Sequence, residues 1–303
     1  MRTEHLTIDK LPCTLWLPEG NPKAVLQIIH GMTEHIGCYE AFAEFLTTQG
    51  ILAAGFDLRG HGKNGSDPAV ASLGEGGWDK SLEDIHRFRT ALQSRYPSAP
   101  YFILGFSLGS FLLREYLTKH PQGLSGAIIM GTGRQPAPVL SILMAIVKTQ
   151  CKKAGFDGTT PLVKKLSFET YNKYFAPNRT EADWLCSDTA ALDAYLSDPL
   201  CRESISAGLF WQLLSAMKRT DKAATYKAWD PNLPILLLSG QDDPVGDFGK
   251  GVTTVYKAAT AAGIADLQMK LYPHARHILL REEQCGAAPQ AREDIALWLN
   301  NHI

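Results

Sequence analysis

The feature that most constrains this chain is its alternation of short, almost wholly apolar runs with longer amphipathic ones. Ala24 to His30 (AVLQIIH), Ile51 to Asp57 (ILAAGFD), Tyr101 to Gly105 (YFILG), Ala127 to Met130, Ile235 to Gly240 (ILLLSG) and Leu267 to Tyr272 read as strands. Between them, Tyr39 to Gln49 carries Phe42, Phe45 and Leu46 on one helical face, and Trp78 to Arg95 carries Leu82, Ile85, Phe88 and Leu92 at three- and four-residue spacing. Helices are also expected at Leu108 to His120, near Phe248 to Ala262, and in a last segment ending in Ile295 to Asn301. A strand that is apolar at nearly every position has both faces buried, which requires helices on both sides of the sheet. The fold class is therefore α/β, with a mostly parallel sheet. Leu6 to Asp9 and Cys13 to Leu17 are expected to form an antiparallel hairpin at one edge.

The rhythm breaks between about Arg134 and Trp229. No buried strand is legible there, and the segments Val139 to Val147, Phe168 to Phe175 and Phe210 to Met217 read as helical. The expectation is a core formed by 1–133 and 230–303, with 134–229 inserted as an all-helical cap. A chain of 303 residues suits one large α/β domain with such an insertion.

The formal net charge of -1 gives no field to attract nucleic acid. The six cysteines, Cys13, Cys38, Cys151, Cys186, Cys201 and Cys285, include no C-x-x-C pair and have no His-rich cluster beside them. That pattern points to reduced thiols in a cytoplasmic protein, with no metal and no cofactor. The N-terminal stretch has no continuous apolar core, so no signal peptide is read. Val139 to Val147, the longest apolar stretch, falls far below the roughly 20 residues needed to span a bilayer.

The chemistry concentrates at Gly105-Phe106-Ser107-Leu108-Gly109, a G-x-S-x-G pattern. A chain this long shows that pattern by chance roughly one time in ten, so its context decides. Here a strand ends at the first glycine and an apolar helix begins right after the serine. A nucleophile on a sharp strand-to-helix turn needs small neighbours where backbones crowd, and gains from the positive end of the following helix. Such a serine needs a base, and the base needs an orienting carboxylate. Asp242 and Asp243 follow the strand Ile235 to Leu238, and either one could be a plain turn residue before Pro244. His274 and His277 both follow Leu267 to Tyr272; His277 is preferred, and the other reads as an exposed loop residue. For the oxyanion hole, one N–H is expected from Leu108 and the other from Met32 in the loop after Ala24 to His30. His30 itself is read as bracing that loop.

These motifs together resemble the monoacylglycerol lipase and lysophospholipase branch of the α/β-hydrolases, in its bacterial form. The resemblance is carried by His30-Gly31-Met32-Thr33-Glu34-His35 with Tyr39, Asp57-Leu58-Arg59-Gly60-His61-Gly62, Gly105 to Gly109, and Ala275-Arg276-His277. Asp183-Trp184-Leu185 and Asp198-Pro199-Leu200-Cys201 extend it into the insertion. It implies the α/β-hydrolase fold, the catalytic set Ser107, Asp243 and His277, an oxyanion hole from Met32 and Leu108, and a helical cap. The usual R-G-H-G-x-S is longer here, with Ser66 reached only after Lys63-Asn64-Gly65, a departure that touches local loop geometry.

The leading function is cleavage of a carboxylic ester through an acyl-enzyme, with a small lipid-like monoester such as a monoacylglycerol or lysophospholipid as substrate. Val139 to Val147 is apolar nearly all round, so it either packs inside the cap or faces acyl chains. On the second reading Leu140, Leu143, Ile146 and Phe210 contact substrate, and the cap makes transient contact with a membrane surface. One alternative is an aminopeptidase or amidase, which would hold a substrate amine with cap carboxylates such as Glu169, Glu181, Asp183, Asp188 or Asp193. Another is a non-catalytic binding protein of the same fold, against which the intact serine, acid, histidine and oxyanion loop all weigh.

Overall fold

A computed structural model describes all 303 residues. The chain opens with β1 (Arg2–Ile8) and β2 (Leu11–Leu17), then runs β3 (Ala24–Ile29), α1 (Glu40–Thr48), β4 (Ile51–Phe56), the two-residue β5 (Val70–Ala71), α2 (Gly77–Arg95), β6 (Tyr101–Phe106), α3 (Leu108–Lys119) and β7 (Gly126–Met130). Next come α4 (Ala137–Ala154), α5 (Pro161–Lys164), α6 (Thr170–Asn172), α7 (Thr189–Ser197), β8 (Ser204–Ile205), α8 (Ala207–Thr220) and α9 (Ala223–Lys227). The chain then returns to the sheet with β9 (Ile235–Gly240), α10 (Lys250–Ala261), β10 (Leu267–Tyr272) and α11 (Ala287–Asn300).

Eight strands form one sheet in the order β1-β2-β4-β3-β6-β7-β9-β10. The six from β4 to β10 pair in parallel, and β1 and β2 form the antiparallel edge. Alternation along the strands sorts side chains between two layers. Val25 and Ile29 face a core shared with α2, α3 and α10, whereas Ala24, Leu26 and Ile28 face one shared with α1 and α11. The one polar residue in the middle of β3, Gln27, is fully buried, accepting from the Tyr101 hydroxyl at 2.9 Å and donating to the Ile85 carbonyl at 3.3 Å. All four of its neighbours along β3 are apolar, so this bonded pair removes what would otherwise be a costly polar burial.

The segment between β7 and β9 is mostly helical, with one exception to the all-helical expectation. Residues Ser204 and Ile205 form a short strand paired with Val70 and Ala71. A two-residue ladder leaves no hydrophobic period to read, which is why the sequence hides it. The insertion is not a separate body. Leu140 and Val147 of α4 and Phe210, Leu214 and Met217 of α8 belong to the same apolar core as α2 and α3.

Candidate active site

The parallel strands bring their C-terminal ends to one rim of the sheet, and the loops there carry the polar residues singled out above. Gly105 lies level with Ile29 on one side and Ile129 on the other. One residue later the chain turns sharply. Ser107 has φ 49° and ψ -114°, a left-handed backbone that a non-glycine residue adopts only when its surroundings impose it. The flanking glycines explain how the turn fits. A Cβ on Gly105 would sit 2.4 Å from the Gly109 carbonyl oxygen, and one on Gly109 would sit 2.1 Å from that of Ile29. The Ser107 amide donates to Met130 O at 3.0 Å, pinning the turn to the adjacent strand.

Ser107 Oγ is 2.9 Å from His277 Nε2, and His277 Nδ1 is 2.9 Å from Asp243 Oδ2. Asp243 is fully buried, yet its carboxylate is well supplied with donors. Oδ1 accepts from the Val245 amide at 2.8 Å, and Oδ2 also receives the Ser239 hydroxyl at 3.4 Å. An imidazole that donates Nδ1–H to this carboxylate presents a lone pair on Nε2 to the serine, the tautomer a general base needs. Asp242 is half-buried and lies outside this chain of bonds, and His274 is an exposed turn residue with φ 62°.

The His277 ring lies between two aromatic rings. Phe106 approaches at 4.9 Å from the strand side, and Trp184 at 5.2 Å from the insertion. The loop carrying His277 is fastened to the same part of the insertion. The Ile278 amide donates to Leu185 O at 2.7 Å, and the Arg276 guanidinium donates to Asp183 O at 2.5 Å. Buried Glu282 accepts from the amides of Arg276 at 2.8 Å and Ser187 at 2.9 Å.

On the far side of Ser107 the β3 loop is held from within. Glu34 Oε1 accepts from the Gly31 amide at 2.6 Å and from the Tyr39 hydroxyl at 2.7 Å. Burial pushes this carboxyl up to about 7. The Met32 amide, in a loop, donates to no backbone carbonyl, and the Leu108 amide, at the first residue of α3, has no acceptor within its helix. His30 accepts from the Leu58 amide at 2.8 Å through Nε2 and meets Gly31 O at 2.7 Å through Nδ1. It ties two loops together and does not face the serine.

A cavity of about 250 Å³ opens over Ser107 and His277. Met32 and Phe106 form its floor, and Phe168, Trp184, Leu185 and Leu196 of the insertion form its apolar wall. None of Leu140, Leu143, Ile146 and Phe210 lines it, which corrects the expectation that they contact substrate. Leu140 and Phe210 are buried in the core shared by α4 and α8, Leu143 packs against that core, and Val139 and Ile142 face outward. An apolar helix needs a partner, and here the partner is α8 and not an acyl chain. Of the acidic residues considered for an amine site, only Glu169 and Glu181 line the cavity, and Glu181 pairs with Lys164 at 3.0 Å. Asp183 accepts from the Arg179 and Thr180 amides, Asp188 caps α7, and Asp193 pairs with Arg179.

The sequence reading passed over Trp184 and Glu282 as site residues. Trp184 stands in a stretch that resembles other family members and so carried a signal. Glu282 carried none, because a lone glutamate becomes a brace only when the fold brings a distant loop, here that of Ser187, to its own.

A nucleophile elbow at the rim of a parallel sheet, with a histidine and a carboxylate arriving from the two last strand ends, defines a serine hydrolase of the α/β-hydrolase fold. More particularly, the chain belongs to the family described as serine aminopeptidase, S33, whose model matches residues 20–284. It is 28% identical to the monoglyceride lipase of Rattus norvegicus over 96% of this chain and 87% of that one. Against the monoacylglycerol lipase of Mycolicibacterium smegmatis it is 23% identical over 95% of this chain and 92% of the relative. In structure it superposes on a thermostable carboxyl esterase from Bacillus coagulans with a TM-score of 0.86 at 24% identity, covering 99% of both chains.

Proposed function

We propose that the protein cleaves a lipid-like carboxylic monoester, a monoacylglycerol or a lysophospholipid, with Ser107 as nucleophile, His277 as general base and acid, and Asp243 as the orienting carboxylate. The observation that carries this reading is the pair of 2.9 Å hydrogen bonds that ends at Ser107 beneath a cavity with an apolar wall. His277 takes the serine proton as Oγ attacks the ester carbonyl, and the amides of Met32 and Leu108 receive the oxyanion. The imidazolium, stabilised by Asp243, then protonates the departing alcohol. Water attacks the acyl-enzyme by the same route, releasing the acid and restoring Ser107.

The two curated relatives described above are both named as lipases of glycerol monoesters, which favours that substrate class. The segment 134–229 acts as the cap in this reading, since it supplies the cavity wall. Val139 and Ile142 stand exposed on α4 at helical spacing, and they suit transient contact with a membrane or micelle surface. No helix is long and apolar enough to cross a membrane. A second reading, an aminopeptidase, is favoured by Glu169 and Glu203 in the cavity lining, which could hold a substrate ammonium.

A substrate panel separates the two: p-nitrophenyl esters of increasing chain length, 1-acylglycerols, lysophosphatidylcholine and aminoacyl-nitroanilides. Turnover of acyl esters that rises with chain length supports the lipid reading. Selective turnover of aminoacyl-nitroanilides would replace it with the second.

A further inference from the structure

Two turns from distant parts of the chain meet beside the cavity. His35 to Cys38 follows the β3 loop, and Asp198 to Cys201 follows α7. One imidazole nitrogen of His35, Cys38 Sγ, an Asp198 carboxylate oxygen and Cys201 Sγ all lie within 4.8 Å of one another. The turns are built alike. The Cys38 amide donates to His35 O at 3.1 Å, and the Cys201 amide donates to Asp198 O at 3.0 Å. Each therefore offers two ligand atoms three residues apart, as H-x-x-C and D-x-x-C, on the spacing with which zinc-binding C-x-x-C turns grip a metal. His35 lies 2.9 Å from Asp198 Oδ2, and Cys38 Sγ lies 4.0 Å from Cys201 Sγ.

We propose that His35, Cys38, Asp198 and Cys201 form a structural site for one divalent cation, zinc by its ligand chemistry. Tetrahedral zinc with Zn–S bonds of about 2.3 Å holds its two sulfurs about 3.8 Å apart, and bonds of about 2.0–2.1 Å hold nitrogen and oxygen about 3.3 Å apart. The His35–Asp198 and Cys38–Cys201 pairs depart from these spacings by a few tenths of an ångström, and the remaining pairs, all within 4.8 Å, would draw in by up to about 1 Å around the ion. Two thiolates, an imidazole and a carboxylate make a set of soft and borderline ligands that suits zinc and not magnesium or calcium. The supporting shell is present. Asp198 Oδ1 is engaged by the Leu200 amide at 2.8 Å, leaving Oδ2 to face His35. Charge balances as well. Two thiolates and a carboxylate with a divalent cation leave one net negative charge, and the Arg281 guanidinium, which donates to Cys38 O at 3.4 Å, offsets it. Binding expels the two thiol protons to the buffer and displaces the Nε2 proton that His35 shares with Asp198, which moves to Nδ1 or to the buffer.

With four protein ligands the site has no open position for substrate, so its role is to fasten. It joins the insertion to the loop that bears Met32, alongside the bond from the Arg202 amide to Thr33 O at 2.7 Å. Cys201 itself lines the cavity, so the cation would fix one wall of the substrate site. No C-x-x-C pattern marks this set in the sequence, because each turn supplies only one cysteine and the two stand 163 positions apart.

The test uses the full-length chain, reduced with a phosphine, stripped with a chelator, and then titrated with zinc or with cobalt as a spectroscopic stand-in. The expected result is one zinc retained per chain after desalting and a thiolate-to-cobalt charge-transfer band. Zinc should also shield Cys38 and Cys201 from alkylation, mapped by mass spectrometry, while exposed Cys285 alkylates with or without it. Cys38→Ser and Cys201→Ser should each weaken zinc binding by more than the ~10–100-fold that loss of an outer partner costs. Because shielding is read on the unaltered chain, a variant that misfolds does not blunt the test. Substoichiometric zinc, unshielded thiols, or a Cys38–Cys201 disulfide that survives the phosphine would overturn the proposal.

Discussion

The rim of the sheet and the insertion above it solve different problems. At the rim, Ser107, Asp243 and His277 follow β6, β9 and β10, and the strands beneath Ser107 and Asp243 are buried at every position. Their side chains are fixed by backbone turns, close glycine contacts and hydrogen bonds that leave little to adjust. The insertion, by contrast, exposes Val139, Ile142, Leu162, Tyr174 and Leu196, and its cavity wall comes from loops and short helical turns. On the proposed reading, the chemistry sits on the sheet rim and the selectivity on the insertion, the division expected of a catalytic scaffold that varies its substrates. Damage at the rim should stop turnover of every substrate alike, whereas damage in the insertion should sort substrates by size.

The largest effect belongs to the rim. Ser107→Ala should lower kcat on all esters by about 10⁴-fold or more, with an unchanged circular dichroism spectrum. Residual turnover near that of the parent would remove Ser107 from the mechanism. Next, Asp243→Asn should cost on the order of 10⁴-fold, since a neutral amide can favour the wrong imidazole tautomer, while Asp242→Asn costs little. His277→Gln against His274→Gln should rank the same way in side-by-side rates.

Trp184→Ala lies on the boundary between the two regions. It removes one of the two rings that hold His277, so kcat should fall by up to about 10²-fold with a smaller change in KM, equally for short and long esters. A loss confined to long chains would instead make Trp184 a wall residue only. A smaller and selective effect is expected inside the insertion. Each buried methylene is worth up to about 0.8 kcal/mol, or about 4-fold in kcat/KM. Phe168→Asp or Leu196→Asp should therefore erase most of the long-chain advantage and spare acetate esters, because a carboxylate would be desolvated against the chain. Ile142→Asp, facing away from the cavity, should leave the chain-length profile unchanged in buffer. Proportional losses across all chain lengths in the first two variants would collapse the distinction between the regions.

The last expectation concerns the core alone. Burial drives His30 and His61 down to about 3, so both are neutral in the folded chain. The unfolded chain takes up protons near the ordinary value of about 6.5. Between those values the unfolded state binds more protons, so the stability present above pH of about 6.5 is lost as pH falls toward 3. Buried Glu34 works in the opposite direction, because its carboxyl, raised to about 7, contributes stability that is lost as pH rises through that value. The histidine contribution is therefore read as a difference: the urea midpoint of His61→Gln should fall less, or rise more, between pH 7 and pH 5 than that of the parent. An identical pH 7-to-pH 5 change in the parent and in His61→Gln would contradict the assignment.

The same division governs what the sequence reveals. Five of the six parallel strands are legible because burial on both faces leaves an almost unbroken apolar run, while the edge strand β10 carries Gln268 and Lys270 and is half-exposed; the serine is legible because the glycines beside it have a steric reason to be there. Asp243 and His277 are legible as positions after strands, though choosing them over Asp242 and His274 leaned on family resemblance. In the insertion, Val139 to Val147 is legible as an apolar helix, but its partner is not. Amphipathic pattern states that a face must be covered and says nothing of what covers it, so α8 and an acyl chain read alike. The two-residue strand at Ser204 is too short for any period. Trp184 over His277, Glu282 beneath its loop, and the meeting of His35 and Cys38 with Asp198 and Cys201 are all products of tertiary contact.

The central claim is that the hydrogen-bonded chain from Asp243 through His277 activates Ser107. Stoichiometric labelling of the folded chain with a fluorophosphonate, followed by peptide mapping, tests it most directly. The account predicts one adduct per chain, located on Ser107, formed far more slowly in Asp243→Asn and His277→Gln. An adduct on another residue, or labelling that proceeds at the same rate in those two variants, would contradict it.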